Sequence, residues 1–210
     1  MLDLYHYREG DESRIDGIDK WLWLKSDNGA WDGPKRDWET SHKENILKYV
    51  KNFDVVVQAG GCQGMYPKLL SKMFKTVYTF EPSSDSFYAL VHNCPEHNIV
   101  KFNAALGNKH TMVSLDIRDT GNVGTHRIKD NEKSHIPQLM VDDLDLPACD
   151  LIYLDIEGYE ENALKGAVNT INKFSPVIFA ENGNKAETFM GTLGYHVVGN
   201  SVSDTIFIKG

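Results

Sequence analysis

Three glycines fall within five positions at Gly60-Gly61-Cys62-Gln63-Gly64, and the chain changes character across them. Before them, Asp54-Val55-Val56-Val57-Gln58-Ala59 is short and apolar from Val55 to Val57, which reads as a buried strand. After them, residues 65–74, Met-Tyr-Pro-Lys-Leu-Leu-Ser-Lys-Met-Phe, read as a helix. A strand, a glycine turn and a helix in that order belong to an α/β sheet. There the turn lies at the carboxyl end of the strand, where ligands bind. Glycine permits positive φ and lets a ligand approach the main chain closely. The first N–H groups of the helix point at the same spot.

The next strand, Thr76-Val77-Tyr78-Thr79-Phe80, ends in Glu81, about 20 residues beyond the turn. That is the spacing at which an acid meets ribose hydroxyls in dinucleotide folds. A carboxylate can accept from both vicinal hydroxyls. The glycine pattern is G-G-x-x-G, not G-x-G-x-x-G, and no lysine follows it. A nicotinamide cradle and a P-loop are therefore disfavoured. The ligand so inferred carries a ribose but needs no pyrophosphate cradle. S-adenosylmethionine (SAM) meets that description better than NAD or ATP.

The remaining segments repeat the strand–helix theme. Pro82-Ser83-Ser84-Asp85 opens a helix over residues 87–91, with helix-start chemistry at its cap. Ile99-Val100-Lys101-Phe102 reads as a strand, followed by the small residues Asn103-Ala104-Ala105-Leu106-Gly107. Small residues there would admit a flat base beside the backbone or a close helix–strand contact. Residues 112–117 alternate as one extra strand. Thr120-Gly121-Asn122-Val123-Gly124-Thr125-His126-Arg127 reads as a loop, with His126 a base, a substrate donor or a surface residue. Leu151-Ile152-Tyr153-Leu154 is a buried strand ending in Asp155 and Glu157, followed by a helix over residues 162–171. Glu160 and Glu161 fall in the first turn of that helix, where negative charge complements the dipole. Pro176-Val177-Ile178-Phe179-Ala180 ends in Glu181, and residues 185–190 begin a short helix. Residues 195–198 and 205–208 close the chain as an antiparallel hairpin turning at Gly199-Asn200-Ser201.

Residues 1–45 read differently and form an aromatic-rich arm or lid before a domain spanning 46–210. They hold all four tryptophans, Trp21, Trp23, Trp31 and Trp38. The tryptophans pack as core, or else Trp31 and Trp38 cover the ligand. A helix is expected over residues 39–50, capped by Thr40 or Ser41 and buried through Ile46, Leu47 and Val50.

At 210 residues with a net charge of −8, the chain fits one domain and lacks the basic face of a long nucleic-acid footprint. Its three cysteines are odd in number and scattered, which argues against a disulfide framework or a zinc site and for a reducing, cytoplasmic setting. The residues indicate no other metal site. No stretch of 18 apolar residues suggests a membrane span, and the first residues lack a signal-peptide core.

From about Asp54 to Ile208 the chain resembles the FkbM family of SAM-dependent methyltransferases. The resemblance is carried by Val57-Gln58-Ala59-Gly60-Gly61-Cys62-Gln63-Gly64, Phe80-Glu81-Pro82, Asn103-Ala104-Ala105-Leu106-Gly107 and Val141-Asp142-Asp143-Leu144. It continues in Asp155-Ile156-Glu157-Gly158-Tyr159-Glu160, Leu164-Lys165-Gly166-Ala167, and Pro176-Val177-Ile178 with Glu181. It implies a Rossmann-like class I fold: three αβα layers around a mostly parallel seven-stranded sheet ending in an antiparallel hairpin. It implies methyl transfer to a hydroxyl of a sugar or small metabolite. Gly60 and Gly64 would match the SAM-loop glycines, Glu81 the ribose carboxylate, and Asp155 the acid near the methionine end. Gln58, Gly61, Pro82, Asn103 and Ala104 complete the expected cofactor set. The chain departs from the pattern at Gln58 (usually an acid), Cys62 (usually Asn) and Tyr153 (usually Lys).

A hydroxyl nucleophile benefits from a general base. Asp155 and Glu157 are the candidates, His126 the rival, and Glu181 would orient acceptor hydroxyls. The departures at Gln58 and Tyr153 motivate an alternative: a SAM- or carbohydrate-binding module with weak or no catalysis. Expected partners are a small-molecule or glycan acceptor and, through exposed aromatics on the arm, a second copy of the chain.

Overall fold

A computed structural model of the chain describes residues 2–9, 20–28, 39–129, 135–201 and 203–210. The β-branched run before the glycines forms β3 (Val55–Ala59), buried at every position in the middle of a seven-stranded sheet. Beside it lie β4 (Thr76–Phe80) and β5 (Ile99–Phe102) on one flank. On the other flank come β10 (Leu151–Leu154), β11 (Val177–Glu181), β13 (Asp204–Lys209) and β12 (Tyr195–Ser201). Pairings from β5 to β11 are parallel, and β13 runs antiparallel to both its neighbours. This is the mostly parallel seven-stranded sheet expected from the sequence, with its closing antiparallel hairpin.

Alternation along the strands builds a core on each face. Val56, Tyr153, Phe179 and Ile206 point toward α1 (Glu39–Tyr49) and α2 (Met65–Ser71), meeting Ile46, Val50 and Leu70. Val55, Val57, Ile152, Leu154 and Phe207 point the other way. They meet α4 (Glu160–Lys165), α5 (Val168–Phe174) and α6 (Glu187–Thr192) through Leu164, Ile171 and Met190. Leu47, expected in the core, is 55% exposed. The first helix begins at Glu39, so Thr40 and Ser41 lie inside its first turn rather than at its cap.

Three other expectations are corrected. The helix over 162–171 is two short helices, α4 and α5, broken at Gly166-Ala167. A Cβ on Gly166 would come within 1.9 Å of the Gly107 carbonyl oxygen, so two backbones cross where a side chain would be excluded. Asp142 accepts the Asn169 and Thr170 N–H groups and thereby starts α5. The closing hairpin does not turn at 199–201: β12 runs through Ser201, and β13 begins at Asp204. Finally, the one extra strand is part of a four-stranded sheet of β6 (Ala105–Leu106), β7 (Thr111–Asp116), β8 (Arg127–Lys129) and β9 (Ile136–Leu139), in the order β6-β9-β7-β8.

The N-terminal region forms a hairpin, β1 (Tyr5–Glu9) with β2 (Lys20–Leu24). Leu22 and Leu24 pack with Tyr5 against Ala89 of α3 (Ser84–Asn93). Trp21 and Trp23 point the other way, 0% and 4% exposed, and pack on Met65. These two tryptophans are thus packed inward, which removes them as exposed dimer contacts. Trp31 and Trp38, the proposed lid residues, lie outside the described residues. Among the described residues no helix is long and apolar enough to cross a membrane.

Candidate active site

From β3 the chain steps outward to β4 and β5, then returns to β10 on β3's other side. The strand order reverses between β3 and β10, and in an open α/β sheet the crevice at such a reversal is where ligands bind. A pocket of about 350 Å³ opens there. It is lined by the ends of the central strands: Gly60 and Gly61 after β3, Glu81 and Pro82 after β4, Asp155 and Glu157 after β10, and Glu181 at the end of β11.

The glycine turn is tightly fitted. Gly60 has φ +85°, and a Cβ there would lie 1.9 Å from the Asp155 carbonyl oxygen. Gly60 and Gly61 both donate their N–H to the Phe80 carbonyl. Cys62 then adopts φ +45°, a left-handed conformation for which Asn is better suited. Its N–H donates to Glu81 Oε2 at 2.7 Å, while Glu81 Oε1 accepts the Ser83 N–H at 2.7 Å. One N–H on each oxygen pins the carboxylate and leaves each oxygen a further lone pair for a ligand hydroxyl. Burial raises the Glu81 carboxyl to about 7, against the two backbone hydrogen bonds that lower it.

A second turn follows β10. Glu157 has φ +57° and Gly158 φ +99°. Glu160 Oε1 accepts the Ile156 and Gly158 N–H groups, each at 3.1 Å, so it clamps the turn that carries Glu157 into the pocket. Glu160 is 4% exposed and therefore does more than complement the helix dipole. Carboxylate oxygens of Asp155, Glu157 and Glu181 all lie within 4.8 Å of one another, close enough to share a cation. Burial first, then the Glu181 charge, pushes the Asp155 carboxyl well above the usual carboxylate range. Glu157 is also raised, by burial and Glu181, while Arg127, with Nη2 3.7 Å from Glu157 Oε2, opposes the rise.

The other wall is apolar where Ala104, Ala105, Leu106, Leu115 and Ile128 meet. His126 also lines it, with both ring nitrogens shielded from solvent and without a hydrogen-bond partner of good geometry. Burial lowers its pKa against the opposing Asp119 and Asp27.

Three of the expected cofactor residues are not on this wall. Gln58 is fully buried among the sheet residues, where its Oε1 accepts from Thr79 Oγ1. Gly64, at φ +102°, packs against Cys94 at the start of α2. Asn103 supports the wall from behind, donating to the Glu81 and Pro82 carbonyls. Conversely, sequence reasoning missed Trp23, Asp27 and His42, which line the pocket from the N-terminal region. His42 belongs to a buried polar cluster: its Nε2 is 3.6 Å from Asp204 Oδ2, which accepts from the Tyr153 hydroxyl at 2.8 Å. Tyr153, in place of the family's usual lysine, thus has a buried acid as its partner.

The arrangement suits a ligand with vicinal hydroxyls at Glu81, a flat apolar group by Leu106, and positive charge near Asp155. Comparisons with known proteins place the chain in a family. A family model described as the methyltransferase FkbM domain matches residues 58–199. A hexuronic acid methyltransferase, AglP of Haloferax volcanii, is 24% identical over 139 residues, 63% of this chain and 58% of that protein. The chain therefore spans less than two thirds of that relative. Crystal structures share the fold. Methyltransferase FkbM of Methylobacillus flagellatus aligns with a TM-score of 0.58 at 17% identity, over 82% of this chain and 48% of that one. Ribosomal protein L11 methylase of Lactobacillus delbrueckii aligns at 0.52 with 11% identity, over 82% of this chain and 79% of that one. With more than half its length matched by the family model and the strand-end acids gathered on one crevice, the chain belongs to the FkbM methyltransferase domain family.

Proposed function

We propose that the protein transfers a methyl group from SAM to a hydroxyl of a sugar or small metabolite. One observation carries this reading: the bare-backbone turn at Gly60-Gly61, the pinned Glu81 and the acids after β10 and β11 all face one pocket. The residues fit SAM. Glu81 has lone pairs to spare for ribose hydroxyls, Leu106 and its neighbours form an apolar slot for the base, and Asp155 favours a cation. When bound, SAM supplies an activated methyl group.

The chain's own residues must orient the acceptor and receive its proton, since positioning accounts for much of such a reaction. Asp155 or Glu157 takes the hydroxyl proton in its ionised form, and Glu181 orients the acceptor. His126 is kept neutral by burial and is the rival acceptor of that proton. Arg127 pairs with Glu157 at 3.7 Å. The relative acting on a hexuronic acid supports a carbohydrate acceptor.

Calorimetry with S-adenosylhomocysteine (SAH), followed by methyl-release assays on uronic acids, neutral sugars and glycans, tests the reading. Binding followed by turnover is expected, with transfer lost in Asp155→Ala or Glu157→Ala while the fold survives. Full activity in both variants rejects the base assignment. Binding without turnover on any acceptor favours a non-catalytic module.

A further inference from the structure

The glycine turn has a second neighbour besides the pocket. Gln63 is fully buried and lies on the pocket wall. Its Oε1 accepts the Leu24 N–H at 2.6 Å, and its Nε2 donates to Asp27 Oδ2 at 2.8 Å. Its carbonyl accepts from Asn93 Nδ2 at 2.7 Å. Asn93 also exchanges two hydrogen bonds with Leu22, accepting its N–H at 2.8 Å and donating to its carbonyl at 2.9 Å. All these groups are buried, so each bond is costly to leave unmade. Together they fix the N-terminal hairpin to the glycine turn. The turn after β2 reaches further: the Asn28 N–H donates to the Gly121 carbonyl at 2.7 Å, joining the hairpin to the loop that carries His126. Trp23 and Asp27 of the N-terminal region line the pocket themselves, although both lie outside the residues matched by the family model.

We propose that the N-terminal hairpin is a wall of the ligand site, and that Gln63 is the positioning residue coupling it to the glycine turn. The proposal rests on the SAM reading of the pocket. Cys62 is held by Glu81 on the ligand side, and Gln63, one peptide further on, is held by Leu24 and Asp27 on the hairpin side. A ligand that fixes the turn therefore favours the docked hairpin. By linkage, the docked hairpin strengthens the ligand to the same degree.

SAH is the probe. Calorimetry reads its affinity, and hydrogen exchange reads the Leu22 and Leu24 amides, which donate to Asn93 and Gln63. All four tryptophans fall between residues 21 and 38, so tryptophan emission reports on this region alone. Saturating SAH should slow exchange at both amides by about tenfold and change the emission. Gln63→Leu should weaken SAH by about tenfold and abolish the slowing. Gln63→Glu alone should weaken it as well, by placing a carboxylate against Asp27. Combining it with Asp27→Asn reverses donor and acceptor and should restore affinity to within about threefold. SAH binding to the unaltered protein with unchanged exchange at Leu22 and Leu24 overturns the proposal. So does Gln63→Leu with unaltered affinity. If Gln63→Leu fails to fold, the exchange comparison on the unaltered protein still decides. No calorimetric binding of SAH at all overturns the SAM reading, and the coupling with it. That failure is distinct from binding without a response in the hairpin.

Discussion

The turns after β3 and β10 are built to the same plan and behave differently. Each contains a non-glycine residue in the left-handed region, Cys62 in one and Glu157 in the other. Each is clamped by a buried glutamate that accepts two backbone N–H groups, Glu81 in one case and Glu160 in the other. The first clamp comes from the neighbouring strand and itself faces the pocket. The second comes from the turn's own helix, lies off the main pocket wall, and leaves Glu157 to face it. One turn offers bare backbone and borrows its charge; the other carries its own. A ligand-binding role and a supporting role can therefore rest on the same residue type, Glu81 spreading its two N–H groups over both oxygens and Glu160 taking both on Oε1.

The sharpest way to break the comparison is at the glycines. Gly60→Ala drives a Cβ into the Asp155 backbone, whereas a Cβ on Gly158 meets nothing within 4 Å. Gly60→Ala should cost about 4 kcal/mol or more, or fail to fold, since two backbones must part. Gly158→Ala should cost only the positive-φ penalty, about 1–2 kcal/mol. Chemical denaturation of both variants reads the difference, and equal losses would contradict the packing described.

The glutamates come next. Glu81→Ala should weaken SAH by about 100-fold, the worth of two hydrogen bonds to a charged group. Glu160→Ala should leave SAH within about threefold but lower the stability by about 2 kcal/mol, by orphaning two N–H groups. Glu81→Ala also leaves two N–H groups without their acceptor, so thermal melting should fall in both variants, whereas calorimetry should show SAH lost in Glu81→Ala alone.

A pH series sharpens the first clamp. In the folded protein Glu81 titrates at about 7, against 4.5 for an ordinary glutamate. Between those values the folded state holds the extra proton, so ligand-free stability falls as pH rises through the window. Asp155, Glu157, Glu160 and Asp204 are raised too and act with the same sign. Glu81→Gln should lessen the fall between pH 4.5 and 7, by at most about 3 kcal/mol at about 1.4 per unit. Melting curves of this variant that track the unaltered protein across the window would count against the buried, pinned carboxyl. The smallest effect belongs to Cys62→Asn. Asn tolerates the left-handed conformation better, so a gain of about 0.5 kcal/mol is expected in denaturant titration.

The sheet was legible because its signals are local. Val55–Val57 and Leu151–Leu154 are apolar runs of strand length, followed within a few residues by the glycine turn in one case and by Asp155 and Glu157 in the other. Asp155, Glu157, Glu81 and Glu181 could be placed on one edge from strand ends alone. Gln58 could not, because alternation decides which face a strand residue takes, and Gln58 falls on the side of Val56 and Tyr153 rather than in the pocket. Glu160 was read only as a helix-start charge, although its position four residues after Ile156 fits a back-reaching clamp. The hairpin's docking left no periodic trace. It depends on two amides, Gln63 and Asn93, whose partners lie 39 and 71 residues away in sequence. The short strands β6, β8 and β9 were hidden because two to four residues carry too little alternation to register.

The placement of β13 bears on how this protein can be cut. Residues 58–199 carry the family pattern, yet β13 starts at Asp204 and lies between β11 and β12. A version trimmed to those limits would strip a row of backbone partners from β11 and leave an apolar border open to any passing strand, the situation that breeds aggregates. It would also remove the acid that receives the Tyr153 hydroxyl. The smallest piece able to stand alone is therefore larger than the stretch by which its kinship is recognised.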